Sequence, residues 1–233
     1  MGNGTERGKE PPKLDLSQFD SLEDALDQID PGDRYVEVGK VLVPLTNSGM
    51  PLTIPVAFWF SMISRTQGLH EAVAREIRQK NPYAVFPLLR ALVEAVALVN
   101  YVVDHPAYVD VLTSRPRERK AGGQKRKSIQ SLIDYMKEEA PGLKTVYAEL
   151  SEATHFGAIA MWTPHAISEA DEESLRTTWS SHPRWRSEEE GLIACAQLLE
   201  LSDAMVFLLE EFARRHVLPL AVAADPPRRS SNG

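Results

Sequence analysis

The feature that most constrains the fold is an almost continuous apolar run at residues 86–103, which reads FPLLRALVEAVALVNYVV. Asparagine–proline before this run and histidine–proline after it are typical of helix ends, so the sequence predicts one helix over about 82–104. Each of the central residues Arg90 and Glu94 would raise the free energy of insertion into a membrane by about 2.5–3.5 kcal/mol. We therefore interpret the run, the membrane-span candidate of this sequence, as a core helix of a soluble protein.

The rest of the chain is also predicted to be mostly helical. Further helices are predicted near residues 21–29, 55–80, 107–113, 127–139 and 142–162. The last helix is predicted over 187–216, where Ser187 and Glu190 match a capping box. Apolar residues cover more than half of its circumference, which indicates packing against several neighbours. Because no strand pattern is sustained, the sequence predicts an all-α, up-down helical bundle.

The bundle is predicted to be a single domain over residues 14–216. The flanking segments 1–13 and 217–233 are predicted to be disordered, because residues 1–13 and 225–233 are polar and rich in proline, glycine and serine. Residues 163–186 show neither a helical nor a strand period. We predict that they form an irregular insertion before the last helix.

Composition narrows the class of protein. The net charge of −7 argues against a surface built throughout to hold nucleic acid. The single cysteine, Cys195, excludes an internal disulfide framework and fits a reducing compartment. Its apolar neighbours predict a buried side chain. The first residues lack the apolar core of a secretory signal, so we expect a cytoplasmic protein that is not associated with a membrane.

Arg90 and Glu94 are the two charged residues inside the apolar run, and their spacing of four places them on one face of the helix. Two interpretations are open. The residues form an ordinary ion pair on a solvated edge, which contributes about 0.3–0.5 kcal/mol. Alternatively, they lie inside the bundle, where buried charges need further partners.

The segment 144–162 offers such partners. Tyr147, Ser151 and His155 recur every four residues and form a polar stripe along one side of the predicted helix. A histidine on such a stripe is often a structural residue. Facing the charged pair, however, it predicts a site in which Glu94 orients the imidazole and Arg90 holds an anion such as phosphate. The candidate catalytic residues are Arg90, Glu94, Tyr147, Ser151 and His155.

The motifs LLRALVEA (88–95) and YAELSEATH (147–155) resemble a group of uncharacterised bacterial HEPN-like helical proteins. The resemblance covers roughly residues 55–216. It implies a HEPN-like bundle, a homodimer, and metal-independent cleavage of RNA in a toxin, antiphage or RNA-processing system. It also implies a protein partner such as an antitoxin. Other members of the superfamily are non-catalytic helical modules that bind a protein or a small ligand, and this alternative stays open.

The ribonuclease motif of that superfamily is an arginine followed by a histidine after four to six residues. Two pairs in this chain match the spacing, Arg65 with His70 and Arg176 with His182, but about one match is expected by chance. Neither pair includes His155. The catalytic motif of the superfamily is therefore absent or rearranged. A ribonuclease site in this chain would need Arg90 to supply the cation from another helix, with His155 as general acid or base.

A basic loop is the second predicted functional feature. Residues 114–127 hold seven cations and one acid, Glu118, which predicts contact with a nucleic-acid backbone. The cations are Arg115, Arg117, Arg119, Lys120, Lys125, Arg126 and Lys127. No aromatic residue is interleaved with them. A mobile, solvated loop is the alternative.

No metal or other cofactor is predicted. The sequence contains neither a glycine-rich phosphate loop nor a cysteine-based zinc motif. Glu152 and His155 have the Glu-x-x-His spacing of di-iron bundles, but such bundles need this motif twice. The motif occurs once in the chain.

Overall fold

A computed structural model describes residues 14–29, 33–40, 52–114, 125–155, 157, 160–161, 163–170 and 175–220. Eight α-helices lie in these ranges, which confirms the predicted all-α class. They are α1 (Leu22–Gln28), α2 (Asp33–Lys40), α3 (Ile54–Arg78), α4 (Pro82–Asp104), α5 (Tyr108–Thr113), α6 (Ile129–Tyr135), α7 (Leu143–Thr154) and α8 (Glu188–Phe212). A π-helical turn, Ala213–Val217, continues α8.

Helix α4 is the centre of the fold. It packs on α3, α6, α7 and α8, and α3 and α8 also pack on each other. Leu89, Leu92 and Val96 of α4 are fully buried or nearly so. Trp59 of α3 is also fully buried, and its indole N–H donates to the carbonyl oxygen of Leu209 at 2.7 Å. The apolar run therefore forms the core helix that the sequence predicts.

The helix starts follow the capping side chains in the sequence. Ser21, Ser128 and Ser187 each accept a hydrogen bond from the backbone N–H three residues further on. Proline in the first turn begins α3 and α4. The predicted capping box of α8 is only half formed, because the Glu190 carboxylate accepts from the backbone N–H of Arg186, at 2.8 Å.

The structure corrects the predicted insertion at 163–186. Strands β1 (His165–Ala170) and β2 (Leu175–Trp179) pair there in an antiparallel hairpin. The register shifts between Ile167 and Glu169. Each strand is only five or six residues long, and this irregularity further weakens the alternation that would reveal it in the sequence.

Other boundaries also differ from the predictions. Helix α2 was not predicted, and α7 ends at Thr154 although the prediction extended it to 162. The predicted domain end at 216 is too early, because Val217 is fully buried. Most of the predicted tails, residues 1–13 and 221–233, lie outside the described residues.

Cys195 is buried as predicted, and burial raises the pKa of its thiol to about 12.

Two helices, Pro82–Asp104 and Glu188–Leu220, are long and apolar enough to cross a membrane. Their mean hydropathy is 1.7 and 1.8, and 61% and 56% of the respective apolar windows are buried inside the protein. The sequence pointed to one such candidate, so the second is a correction. Length and composition do not distinguish a membrane span from the core helix of a bundle.

His70 connects α3 to α8 and to the end of α1 inside the core. Its Nε2 lies 2.7 Å from the carbonyl oxygen of Ile29, and its Nδ1 lies 2.7 Å from Ser202 Oγ. A carbonyl only accepts, so Nε2 carries the hydrogen and Nδ1 accepts from the hydroxyl. Burial lowers the pKa of His70. The hydrogen bond to Ile29 raises this pKa, and the positive charge of Arg34 lowers it further.

We expect the protein to lose stability as the pH falls below 6.5, the ordinary pKa of histidine. The unfolded chain then binds a proton that the folded His70 binds only at lower pH. The free energy of unfolding therefore falls by at most about 1.4 kcal/mol per pH unit for this group. Urea unfolding from neutral to mildly acidic pH measures the slope.

His70→Gln should flatten this slope, because glutamine keeps a donor and an acceptor but does not titrate. His182→Gln is the matched control, since His182 is exposed. Equal slopes for the wild type and His70→Gln would contradict the prediction.

Candidate functional site

Arg90 is the centre of a polar cluster that joins α4 to α7. Its Nη1 lies 3.0 Å from His155 Nε2, and its Nη2 donates to the Tyr147 hydroxyl at 3.1 Å. Its Nε lies 3.2 Å from Glu94 Oε1, at an angle that gives an ion pair without a hydrogen bond. Four of the five predicted catalytic residues therefore meet at one place, which we call the Arg90 cluster.

The contact with Arg90 determines the tautomer of His155. A guanidinium only donates hydrogen bonds, so Nε2 of the imidazole accepts and Nδ1 carries the ring hydrogen. The side chain of His155 is exposed. The cluster thus holds a neutral imidazole beside a permanent positive charge, within reach of a ligand from solvent.

Tyr147 holds the guanidinium from the side of α7. Its hydroxyl accepts from Arg90 and donates to Glu94 Oε1 at 3.4 Å. Arg90 Cζ lies 5.2 Å from the centre of the tyrosine ring, which is within cation–π range. Tyr147 is only 8% exposed, so packing of its ring fixes the position of the hydroxyl.

The charged pair lies at the edge of the core, between the two environments that the sequence left open. The side chains of Arg90 and Glu94 are 23% and 38% exposed. Full burial of both charges would carry a large desolvation cost. At this partial exposure we expect the ion pair to contribute no more than about 1 kcal/mol, and the guanidinium stays open to a ligand.

The end of α7 brings His155 to the surface. The helix ends at Thr154, and His155 follows as its cap in an extended conformation, with φ −93° and ψ 171°. A Cβ on Gly157 would lie 2.4 Å from Glu152 Cγ and 2.9 Å from the Glu152 carbonyl oxygen. Only glycine allows the chain to pack this closely against the end of a helix. The prediction of one continuous helix over 142–162 is therefore wrong, because the helix is interrupted after Thr154; residues 160–161 are again helical.

Ser151 does not join the Arg90 cluster, although it lies on the same predicted stripe. Its hydroxyl is buried and has no hydrogen-bond partner within the described part of the chain. Spacing by four identified the correct side of α7 for Tyr147 and His155. It did not show which of the three side chains would reach Arg90.

The first arginine–histidine pair with the HEPN spacing is not brought together. Arg65 and His70 are five residues apart on α3, about 140° around its axis. Arg65 is exposed, whereas His70 is buried. For the second pair, His182 is exposed and its Nδ1 lies 3.2 Å from Ser181 Oγ. The side chain of Arg176 lies outside the described residues.

A groove of about 480 Å³ opens beside Glu94, between α3, α4, α5 and α6. Its apolar lining is formed by Phe58, Met62, Ala91, Ala95, Leu98, Leu112, Ile129 and Leu132. Three cationic residues, Arg65, Arg126 and Lys127, also line it. Because Glu94 belongs to both, the groove and the Arg90 cluster are continuous.

The predicted nucleic-acid-binding loop reaches this groove at its described end. Lys125, Arg126 and Lys127 are exposed. Arg126 donates to the carbonyl oxygen of Leu112 at 2.6 Å, and Lys127 Nζ lies 4.9 Å from the centre of the Tyr101 ring. The other predicted cations of the loop, Arg115, Arg117, Arg119 and Lys120, lie outside the described residues.

An aromatic group beside Lys127 was missed in the sequence. The rings of Tyr101 and His105 are stacked, with centroids 4.2 Å apart and planes 6° apart. Tyr108 and Tyr135 pack edge-on against Tyr101 at 5.1 and 5.2 Å. The basic loop has no aromatic residue within it, but the fold supplies these rings from α4, α5, α6 and the α4 cap. The spacing of four between Tyr101 and His105 was an available signal.

No family model, no curated protein and no solved structure matches the chain. Within the described ranges, no group of three or more histidine, cysteine, aspartate or glutamate side chains is placed to hold a metal ion. We therefore interpret the site from its own geometry and from the chemistry of its side chains.

Replacing Tyr147 with phenylalanine tests the connection between α4 and α7. The variant keeps the buried ring but removes the hydroxyl that Arg90 and Glu94 share. We therefore expect the free energy of unfolding, measured in urea, to fall by about 0.5–1.5 kcal/mol. Tyr83→Phe is the matched control, because Tyr83 is an exposed residue of α4. An equal change in the two variants would contradict a role for the shared hydroxyl.

Proposed function

We propose that the Arg90 cluster is the active centre of a metal-independent ribonuclease. The observation that carries this proposal is the distance of 3.0 Å between Arg90 Nη1 and Nε2 of the exposed His155. A permanent cation and a titratable base are thereby held together. These are the two kinds of group that cleavage of an RNA phosphodiester uses in the absence of a metal.

In the proposed reaction, the 2′-hydroxyl of a nucleotide attacks its own 3′-phosphate. His155 Nε2 takes the hydroxyl proton while the bond between O2′ and phosphorus forms. The bond between phosphorus and O5′ of the next nucleotide breaks, and O5′ receives a proton from the His155 imidazolium. The products are a 2′,3′-cyclic phosphate and a free 5′-hydroxyl, and the imidazole returns to its neutral state.

Arg90 would bind the phosphate before the reaction. A phosphate oxygen is a charged acceptor, so it forms a stronger hydrogen bond with the guanidinium than a neutral imidazole does. Substrate would thus replace His155 at Nη1 and release the Nε2 lone pair to act as a base. The guanidinium then stabilises the negative charge that develops on the phosphate oxygens.

Glu94 and Tyr147 act as positioning residues in this proposal. Glu94 pairs with Nε of Arg90, and Tyr147 accepts from Nη2, so that Nη1 faces the imidazole. Neither residue needs to touch the substrate. Their expected effect is on the orientation and pre-organisation of the guanidinium.

The resemblance to HEPN-like proteins supports the proposal, because each of the two similar motifs carries one of the central groups. Arg90 lies in LLRALVEA, and His155 ends YAELSEATH. By this resemblance we extend the proposal to a cytoplasmic homodimer that acts on RNA in a toxin or antiphage system. A protein partner such as an antitoxin would then control it.

A non-catalytic helical module that binds a protein or a small ligand is the second candidate function. The hydrogen bonds of Arg90 favour it. Both η nitrogens already have a partner inside the protein, His155 and Tyr147. Hydrogen bonds of this kind, from one helix to the next, are typical of an arginine that stabilises the packing of two helices.

His155→Gln distinguishes the two candidates. If the protein is a ribonuclease, this variant should cleave an unstructured RNA about 10²–10⁴-fold more slowly than the wild type, because the general base is lost. His155 is exposed, so thermal unfolding should change little. Gel analysis in the presence of EDTA measures the rate, and mass spectrometry identifies the 2′,3′-cyclic phosphate. His182→Gln, at another exposed histidine, should cleave like the wild type.

Arg90→Gln provides a second measurement. Loss of cleavage with the fold retained supports the ribonuclease, since the variant keeps a donor but removes the charge. The ribonuclease is overturned if the wild type leaves RNA intact, or if His155→Gln cleaves as fast as His182→Gln. A large loss of thermal stability in Arg90→Gln, together with an inactive wild type, supports the non-catalytic module.

A further inference from the structure

Arg90, Glu94, Tyr101 and the cap residue His105 share one face of α4. At 100° per residue, positions 90, 94, 101 and the cap position 105 fall within about 60° of arc. Arg90 and His105 are about 22 Å apart along the axis. The groove lies between these positions, because Glu94, Leu98 and the neighbouring Tyr108 line it. The Arg90 cluster, the groove and the aromatic group therefore form one continuous surface.

Two rings of the aromatic group are accessible to a ligand. His105 is exposed, and Tyr135 is 40% exposed. The His105 ring lies flat on Tyr101, and the Tyr135 ring packs edge-on to it at 5.5 Å. His105 Nδ1 donates to the carbonyl oxygen of Tyr101 at 3.1 Å, which keeps its ring in place. A flat, apolar ligand can stack on such rings.

Three cations that line the groove have no carboxylate partner in the part of the chain that the structure describes. Among the described side chains, none of Arg65, Arg126 and Lys127 forms an ion pair with a carboxylate. Lys127 Nζ lies over the Tyr101 ring, next to the exposed rings. In a chain with a net charge of −7, three such cations around one groove make a local positive field.

Two carboxylates near the surface, Asp104 and Glu94, each pair with an arginine, whereas Glu139 has a neutral partner. Asp104 accepts from the Tyr135 hydroxyl at 3.0 Å and forms an ion pair with Arg215 at 2.9 Å. Glu139 accepts from the side-chain amide of Asn100 at 3.2 Å. Glu94 is the acid that lines the groove, and its partner is Arg90. The surface thus combines flat rings with an excess of positive charge.

We propose that this surface is a binding track for single-stranded RNA that leads to the Arg90 cluster. Bases stack on His105 and Tyr135, and phosphates contact Lys127, Arg126 and Arg65 along the groove. The inference rests on the proposed ribonuclease and names its substrate class. Duplex RNA is a poor ligand, because its bases are stacked on one another and their faces are not available to the rings.

The test measures binding separately from cleavage. All variants are made in the full chain with His155→Gln, so that the probe stays intact. The probe is a fluorescein-labelled, unstructured RNA of about 12 nucleotides, within the usual range of single-strand sites, and its duplex serves for comparison. Fluorescence anisotropy gives the dissociation constants at several salt concentrations.

We expect the single strand to bind more tightly than the duplex. Tyr135→Leu and His105→Gln should each weaken binding of the single strand about fivefold or more, because each removes a stacking ring. Lys127→Gln should lower the slope of log affinity against log salt by about 0.7. Thermal unfolding checks that each variant is folded.

Two controls match these variants. Phe207→Leu removes an aromatic ring of α8 that is 64% exposed and does not line the groove. Arg75→Gln removes an exposed cation of α3 that pairs with Glu76 and does not line the groove. Both should bind the single strand like the parent.

The track is overturned if the duplex binds as tightly as the single strand, if no RNA binds, or if Tyr135→Leu and His105→Gln behave like Phe207→Leu. Its failure is distinguishable from failure of the ribonuclease. Binding through the rings by a protein that does not cleave RNA supports the track and overturns the nuclease. For this comparison the ring variants are also made in the chain that keeps His155, and cleavage with a KM equal to that of the wild type overturns the track and supports the nuclease.

Discussion

The permanent charge of Arg90 on the most central helix is the constraint on which the site depends. Helix α4 packs on four other helices, so most of its circumference is closed to a group that must stay ionised. Arg90 lies at the remaining edge, 23% exposed. Glu94 on the same helix supplies the opposite charge without a hydrogen bond, and α7 supplies the hydrogen-bond acceptors through Tyr147 and His155. The position of α7 against α4 is therefore stabilised by this charge as well as by apolar packing.

The sequence predicted the parts of the fold that depend on local patterns. Periodic apolar residues and N-terminal caps located the long helices to within a few residues. A capping side chain such as Ser187 accepts a hydrogen bond from the backbone only three residues away, so it can be recognised in the sequence. The prediction was wrong where the structure depends on contacts between distant residues or on an irregular backbone. The end of α7 depends on the close approach of Gly157 to Glu152, which no period reveals. The hairpin was missed because its strands are short and their register is irregular. The up-down order of the helices stays a prediction.

The candidate site was predicted to a similar extent. Spacing by four placed Arg90 with Glu94 and Tyr147 with His155, since residues four apart share a helix face. Ser151 satisfied the same rule, but its hydroxyl forms no hydrogen bond with the described residues of the cluster, because spacing gives a direction and not a distance. The aromatic group was missed for another reason. Tyr101 belongs to the apolar run and appears there as a core residue, whereas Tyr108 and Tyr135 reach it from separate helices. Only the tertiary structure brings them to Lys127.

The position of the Arg90 cluster at an open edge bears on which ligand it suits. Sites for small molecules usually enclose most of their ligand, and the groove that borders Glu94 instead continues along α4 toward His105. A polymer can occupy such a surface, with one phosphate at Arg90 and others beyond it. In the proposed ribonuclease, binding and chemistry would then share one rigid helix. Its fixed rise of about 1.5 Å per residue sets the distance between the stacking rings and the reacting phosphate. Binding at the rings would thus position the RNA at His155, which is how contacts remote from the reaction contribute to catalysis.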